Sequence, residues 1–262
     1  MSSIFFCISY YSGTLDILNY VDKDNYIIYD KSVEGLKFYD KNIVRSKNVG
    51  YNIDSYFSYI IDNYDNLPEI IIFCKNNIYP RHISQDFFKN SIKKNTFTPL
   101  HDIDNFKNIN FPVSFITNDN SYLELNNSWY ANNYISKYFN NYNSFYNYIF
   151  ENTITPLYLN FSPGANYIVP KNNILNRSKL FYINLKFLIS HSQFSCESHF
   201  VERSLIVIWN TNVKESENMK KLITDDSLCL TNKNLKFILK LKKIYNRLII
   251  IILRFFNKLY SS

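Results

Sequence analysis

The chain lacks the features that mark several whole classes of protein. Glycine is scarce, four in 262 residues, while Asn, Ile, Lys and Tyr are heavily used. That bias looks like the imprint of an AT-rich coding sequence, in which many asparagines carry no functional message. The four cysteines, Cys7, Cys74, Cys196 and Cys229, have no paired spacing. This excludes a zinc motif and a disulfide framework and predicts reduced thiols in a cytosolic setting. The opening residues, MSSIFFCISYYSG, have no positive n-region and no long apolar core, so they predict a first strand and not a signal peptide. The apolar run Leu248–Leu253 is six residues, far short of the ~20 that a spanning helix needs. No internal repeat is visible.

What is present bounds the rest. The chain is 46% hydrophobic and 18% aromatic, too apolar for disorder and long enough for one full core. Its net charge of +7 is unevenly placed. Residues 233–258 hold eight basic residues and no acid, so the remaining 21 basic residues face 22 acidic ones and the body is at −1. A neutral body argues against nucleic acid as a partner. The basic residues 233, 236, 240, 243, 247, 254 and 258 fall three, four or seven apart on a Leu-, Ile- and Phe-rich background. On a helix they form one stripe, which predicts a basic amphipathic helix lying on an anionic membrane surface.

Residues 3–9, 25–30 and 42–46 predict strands, with a short helix over 14–20 capped by Thr14. Over 51–65 the apolar residues Ile53, Tyr56, Phe57, Ile60, Ile61 and Tyr64 recur at helical spacing. Pro68 stops that helix ahead of a buried strand over 69–74. Strands alternating with helices predict a mostly parallel sheet. A helix is expected over 84–92, a strand over 112–117, helices over 143–152, 178–190 and 198–209, and a turn entering a strand over 161–170. From about 94 to 142 the pattern weakens into a stretch expected to loop over the site. Three parts follow: an α/β domain over 1–212, a polar linker over 213–232 and the basic helix over 233–262.

Several motifs stand in order: Tyr29-Asp30-Lys31, Asn48-Val49-Gly50, Tyr56-Phe57, Ile60-Ile61-Asp62-Asn63-Tyr64-Asp65-Asn66-Leu67-Pro68, Ile72-Phe73-Cys74, Gly164-Ala165-Asn166-Tyr167-Ile168-Val169 and Glu202-Arg203-Ser204-Leu205. Together they resemble an uncharacterised domain-of-unknown-function family that looks related to glycosyltransferases of the GT-A type. Two departures stand out. Where the family pattern has Arg-Glu, this chain has Tyr51-Asn52, and where it has Gln after the strand, this chain has Lys75-Asn76-Asn77. The resemblance implies a GT-A-like fold and transfer of a sugar from a nucleotide-sugar donor to a cell-surface glycan or glycolipid at the inner face of the membrane. The alternative is a non-catalytic membrane-surface protein with a degenerate glycosyltransferase fold.

On that resemblance, Glu202 is the expected base and Arg203 its partner. Asp30, Asn48, Gly50, Asn52, Lys75, Asn76, Asn77, Gly164 and Ala165 are the expected donor-site residues. Lys75 suits a diphosphate as a point charge. A Lys-Asn cluster is a poor ligand set for Mn or Mg, which leaves a divalent metal unassigned. Asp22-x-Asp24 and Asp102-x-Asp104 have metal-chelating spacing but lie in polar loops outside the matching order. His82 and His199 stand close to the expected site, whereas His101 and His191 show no partner pattern.

Overall fold

The computed structural model describes residues 4–224 apart from 23, 39 and 103–109, and beyond 224 only residues 228, 248, 251 and 252. The helix expected over 233–262 therefore lies almost wholly outside the described residues. Leu248, Ile251 and Ile252 are helical, with their side chains at least half exposed. Among the described residues no helix is long and apolar enough to cross a membrane.

Strands β1 (Ile4–Tyr10), β2 (Tyr26–Asp30), β3 (Ile43–Arg45) and β4 (Ile70–Lys75) pair in parallel in the order β3-β2-β1-β4. The sheet continues through β9 (Tyr167–Pro170), antiparallel to β4, to β5 (Thr98–Pro99) at the edge. The fold is α/β, with a mixed, mostly parallel sheet flanked by helices. The chain runs outward from β1 to β2 and β3, then returns to place β4 on the other side of β1. The carboxyl ends of β1 and β4 therefore frame the switch point at which such sheets hold ligands.

The central strand β4 has no polar face. Ile71 and Phe73 point to one side and Ile70, Ile72 and Cys74 to the other, all buried. That is why its sequence reads as an unbroken apolar run. One face carries α1 (Ile53–Asn63), α5 (Lys179–Ile189) and α6 (Cys196–Asn210). There Phe73 stacks on the buried Trp209 at 5.2 Å and meets Tyr56 at 5.1 Å. The other face packs Ile17, Ile83 and Phe88, the last from α2 (Gln85–Ser91). The sequence reading placed most of these elements within a few residues. Thr14 is not a helix cap, however: it donates to Asp16 at 2.7 Å ahead of a 3-10 turn over Asp16–Tyr20.

The unreadable stretch after residue 94 builds a second layer. A three-stranded antiparallel sheet joins β6 (Ser114–Ile116), β7 (Tyr122–Leu125) and β8 (Tyr158–Asn160). A 3-10 turn over Trp129–Asn132 and α3 (Tyr142–Ile149) cover α6. Of this layer, α3 and β6 were expected; the other strands, of three or four residues in an Asn- and Tyr-rich background, leave too short a pattern to count.

Residues 213–224, expected as a linker, lie against the helices. After α4 (Lys171–Leu175), the buried Arg177 donates to the carbonyls of Val207, Ile208, Thr211 and Val213 at 2.5–3.1 Å. Asn184 donates to the carbonyls of Met219 and Lys221, and Met219 is fully buried. Arg177 thus satisfies the carbonyls that end α6 and the segment that follows it. Arg177→Ala leaves the carbonyls of Ile208, Thr211 and Val213 without their side-chain donor, Val207 keeping the Thr211 hydroxyl, and is expected to lower stability by about 3 kcal/mol. Urea unfolding of the full chain measures this, and a midpoint equal to that of the parent would contradict it.

Candidate functional site

The site is built on α6, where His199, Glu202 and Arg203 fall three and four residues apart and share one face. Ser195 caps this helix by accepting from the Ser198 amide at 3.3 Å. The buried Arg203 reaches back to β7, donating from Nε and Nη2 to Glu124 Oε1 and Oε2 at 2.7 and 3.0 Å. Its remaining nitrogen donates to Glu202 Oε2 at 3.2 Å and to the His199 carbonyl at 3.3 Å. The rings of Tyr130 and Phe161 sandwich the guanidinium at 4.3 and 4.5 Å. Burial alone would push Arg203 down, but Glu124, Tyr130 and Glu202 hold its pKa above the ordinary value. Four of its five N–H donors are committed to Glu124, Glu202 and the His199 carbonyl, so Arg203 acts as a structural clamp.

Glu202 completes the clamp from the other side. Its Oε1 accepts from the Gly164 amide at 2.6 Å, and His199 Nδ1 faces its Oε2 at 3.7 Å. Burial by itself raises the Glu202 pKa. His199, Arg203 and Lys75 outweigh that and bring it to about 2. His199 Nε2 lies 3.1 Å from the Tyr51 hydroxyl, and Tyr134 packs against the imidazole at 4.2 Å. A carboxylate, an imidazole and a phenol therefore stand in line, with the imidazole held by rings.

Two tight turns position these groups. At the first, Gly50 and Tyr51 both have left-handed backbone, with φ of 60° and 52°. A Cβ at Gly50 would come within 2.9 Å of Asp54. The buried Lys31 donates to the carbonyls of Val49 and Tyr51 and pairs with Asp54 at 3.5 Å. Burial lowers its pKa to about 8 against the pull of Asp54. At the second turn Gly164 and Ala165 are left-handed, with φ of 88° and 56°. A Cβ at Gly164 would strike His82 Cε1 at 2.7 Å. Asn52 links the two turns, its amide donating to the Gly164 carbonyl at 3.0 Å and to the Tyr56 hydroxyl at 2.7 Å.

Between the turns and α6 lies a pocket of about 310 Å³. Lys75, at the carboxyl end of β4, and Arg81 form its cationic wall, with His82 beside them. Trp129, Tyr134, Tyr122 and Phe161 form its aromatic wall. Among the described residues neither Lys75 nor Arg81 has a hydrogen-bonding or ion-pair partner for its cation. Burial lowers the Lys75 pKa, opposed by Glu202 and assisted by Arg81. Burial, Lys75 and Arg81 depress His82 to about 3, so its imidazole is neutral at pH 7. Its Nε2 is buried with no hydrogen-bond partner. Two cations and an orphaned imidazole nitrogen thus share one pocket with a carboxylate whose own partners are already in place.

A family model described as protein of unknown function (DUF3431) matches residues 18–229. The chain belongs to that family. No curated protein and no solved structure matches it. Every residue that lines the pocket falls within the stretch matched to DUF3431.

Of the residues singled out from the sequence, Asn52, Lys75, Gly164, Glu202 and Arg203 line the pocket. Gly50 shapes the turn beside it. Asn48, Ala165, Asp30, Asn76 and Asn77 do not line it. Asp30 is buried and accepts from Ser32, Leu36 and Arg45, which lower its pKa although burial opposes them. It organises the loop after β2. Asn76 spends its amide on the carbonyls of Ser12 and Thr14, both at 2.8 Å, and Asn77 is exposed. With a cation at 75 and the Asn76 amide turned away, the end of β4 does not fit a hard divalent metal. Among the described residues no group of three or more His, Cys, Asp or Glu is placed to hold a metal ion.

Sequence reasoning missed Arg81, Glu124 and the four aromatics. Glu124 and three of the aromatics sit in the stretch where periodicity failed, and a lone Arg after Tyr79-Pro80 carries no pattern. His191, expected to lack a partner, meets the buried Glu197 at 2.8 Å.

Acid should undo this site in two steps. A group that releases its proton more readily when folded stabilises the fold above its unfolded pKa and loses that contribution as pH falls through the folded one. For Glu202 the window runs from its ordinary 4.5 down to about 2, worth about 3 kcal/mol. For His82 it runs from 6.5 down to about 3. Glu202→Gln is expected to flatten the stability-against-pH curve below 4.5 only, leaving the His82 slope above it. Chemical denaturation at a series of pH values reads both, and an unchanged curve would overturn the assignment. Gly164→Ala forces a side chain into left-handed backbone against His82 and is expected to cost about 2 kcal/mol. It should also shift the His82 ring resonances.

Proposed function

We propose that the protein is a glycosyltransferase that moves a sugar from a nucleotide-sugar donor to a glycan or glycolipid acceptor of the cell surface. The observation that carries this reading is the pair of unpartnered cations, Lys75 and Arg81, beside an aromatic wall at the carboxyl end of a parallel strand. Lys75 and Arg81 would take the donor diphosphate, and Trp129 and Tyr134 offer faces for a sugar ring. A mostly parallel sheet with a pocket at the carboxyl end of β4 suits the GT-A-like fold that the motif order resembles.

In the transfer, the bond between the anomeric carbon and the donor phosphate oxygen breaks, and its electrons leave on the diphosphate. Fixed cations stabilise that charge without reorganising. The acceptor oxygen forms the new bond and its proton must go to a base. Glu202, expected from the sequence to be that base, has a pKa of about 2 and is already hydrogen-bonded, so it makes a weak proton acceptor. His199 is the better base in this reading, and Glu202 orients it.

The rival reading is a non-catalytic membrane-surface protein with a degenerate glycosyltransferase fold. It is favoured by the absence of a carboxylate in Lys75-Asn76-Asn77 at the end of β4. Thermal unfolding with a panel of nucleotide sugars and nucleoside diphosphates, with and without manganese, separates the two. A ligand at a hundredfold its Kd adds about 2.7 kcal/mol, which raises Tm by roughly 5–10 °C in a domain of this size. Lys75→Met and Arg81→Met should abolish that rise. His199→Ala should keep it and lose about 10²–10⁴-fold in transfer rate. No rise with any ligand in a folded sample would leave the rival.

A further inference from the structure

Beside the pocket mouth, two segments form an apolar surface with a basic border. Ile135 bridges Ser195, and its carbonyl accepts from the Cys196 amide at 2.8 Å, so residues 134–138 lie against 192–196. Ile135 is 65% exposed and Phe194 48% exposed, and Phe194 rests on the pocket residue Tyr51 at 5.1 Å. The surface continues into a second, shallower cavity where Ile61 and Phe187 lie between Lys137 and Lys186. The acids packed beneath it are neutralised internally. Glu197 is buried and accepts from the amides of Lys137 and Tyr138 and meets His191. Asp54 is buried against Lys31 and Ser190. Asp62, one residue beyond Ile61 on α1, is exposed.

We propose that this face docks on an anionic lipid bilayer, with Ile135 and Phe194 entering the headgroup region and Lys186 meeting lipid phosphates. Three observations select a bilayer as the occupant. The exposed side chains are large and apolar, and the border is cationic, which matches anionic headgroups. The chain passes α5 at Ile223, whose amide bonds the Asn184 side chain at 2.9 Å, before the stretch with eight basic residues and no acid. Leu248, Ile251 and Ile252 in that stretch, spaced as one face of a helix, are exposed as well. Docking on this face would bring the pocket mouth to the membrane, where a lipid-linked acceptor is presented. The inference deepens the acceptor side of the proposed function but does not need the transferase chemistry.

The test is co-sedimentation of the full chain with phosphatidylglycerol vesicles and with phosphatidylcholine vesicles. The parent should bind the former and not the latter. Ile135→Glu and Lys186→Glu should each lower that binding by at least about fivefold, the weight of one basic residue at an anionic surface. Ile135→Asn, which removes the apolar side chain without adding charge, should act in the same direction and guards against misfolding of the first variant. Lys240→Glu with Lys243→Glu tests the tail separately. If the tail variants release the protein while the face variants bind as the parent does, contact is confined to the tail and the docking face is overturned. Equal binding to both vesicles, or to neither, overturns it too. The face variants should retain any nucleotide-diphosphate thermal shift, so failure of the docking face and failure of the transferase reading are separate results.

Discussion

Arg203 is the constraint on which the site depends. A guanidinium under two aromatic rings, almost out of water, is tolerable only with its charge and most of its donors matched. Glu124 supplies a bidentate partner from β7, and Glu202 supplies the second carboxylate from the next residue of the same helix. That requirement fixes the distance between the small antiparallel sheet and α6. It also leaves one Glu202 oxygen to receive the Gly164 amide, so the turn ahead of β9 is held by the same charge. The geometry of His199 follows, because its ring is set three residues before Glu202 and clasped by Tyr134. Removing one member would leave a buried charge unmatched and would be felt in all three elements.

Around that balanced clamp the pocket is electrostatically unfinished. Its lining holds Lys75, Arg81 and Arg203 against Glu124 and Glu202, and only Arg203 is matched by direct contact. His82 is kept neutral by burial and by the two free cations. Lys75 is partly buried without a direct counter-charge, whereas Arg81 is exposed. The missing partner has the sign of a phosphate, and the aromatic wall opposite adds a face that a sugar or a base can cover. On the proposed reading, the site would take an anion joined to a flat or ring-shaped body.

The parts legible in the sequence were those with long patterns. The stripe from Ile53 to Tyr64 became α1, the run after Pro68 became β4, and Glu202-Arg203 fell on a long helix that could be placed. What escaped was assembled from short pieces. Glu124 stands in a four-residue strand, and Trp129 and Tyr134 stand in and just after a single 3-10 turn, where neither a period of two nor of 3.6 has room to repeat. Their roles come from long-range pairing with Arg203 and His199, which no local window contains. Residues 213–224, the described part of the stretch read as a linker, are held by Arg177 and Asn184, side chains that lie tens of residues earlier.

Glycine scarcity has a structural counterpart at the site. All four glycines have positive φ, and Tyr51 and Ala165 extend two of those positions into consecutive left-handed pairs. Such backbone costs a non-glycine residue about 1–3 kcal/mol and persists only where its surroundings over-determine it. Here the surroundings are side chains: Lys31 holds the Tyr51 carbonyl, Asn52 holds the Gly164 carbonyl and Glu202 holds the Gly164 amide. Position 52 must donate, because a backbone carbonyl only accepts, so the asparagine there has a chemical reason beyond compositional bias. Asn76 and Asn184 meet the same demand at the loops after β1 and α6. A chain poor in the residue that makes tight turns easily has built two of them from buried donors and acceptors, and both turns face the pocket.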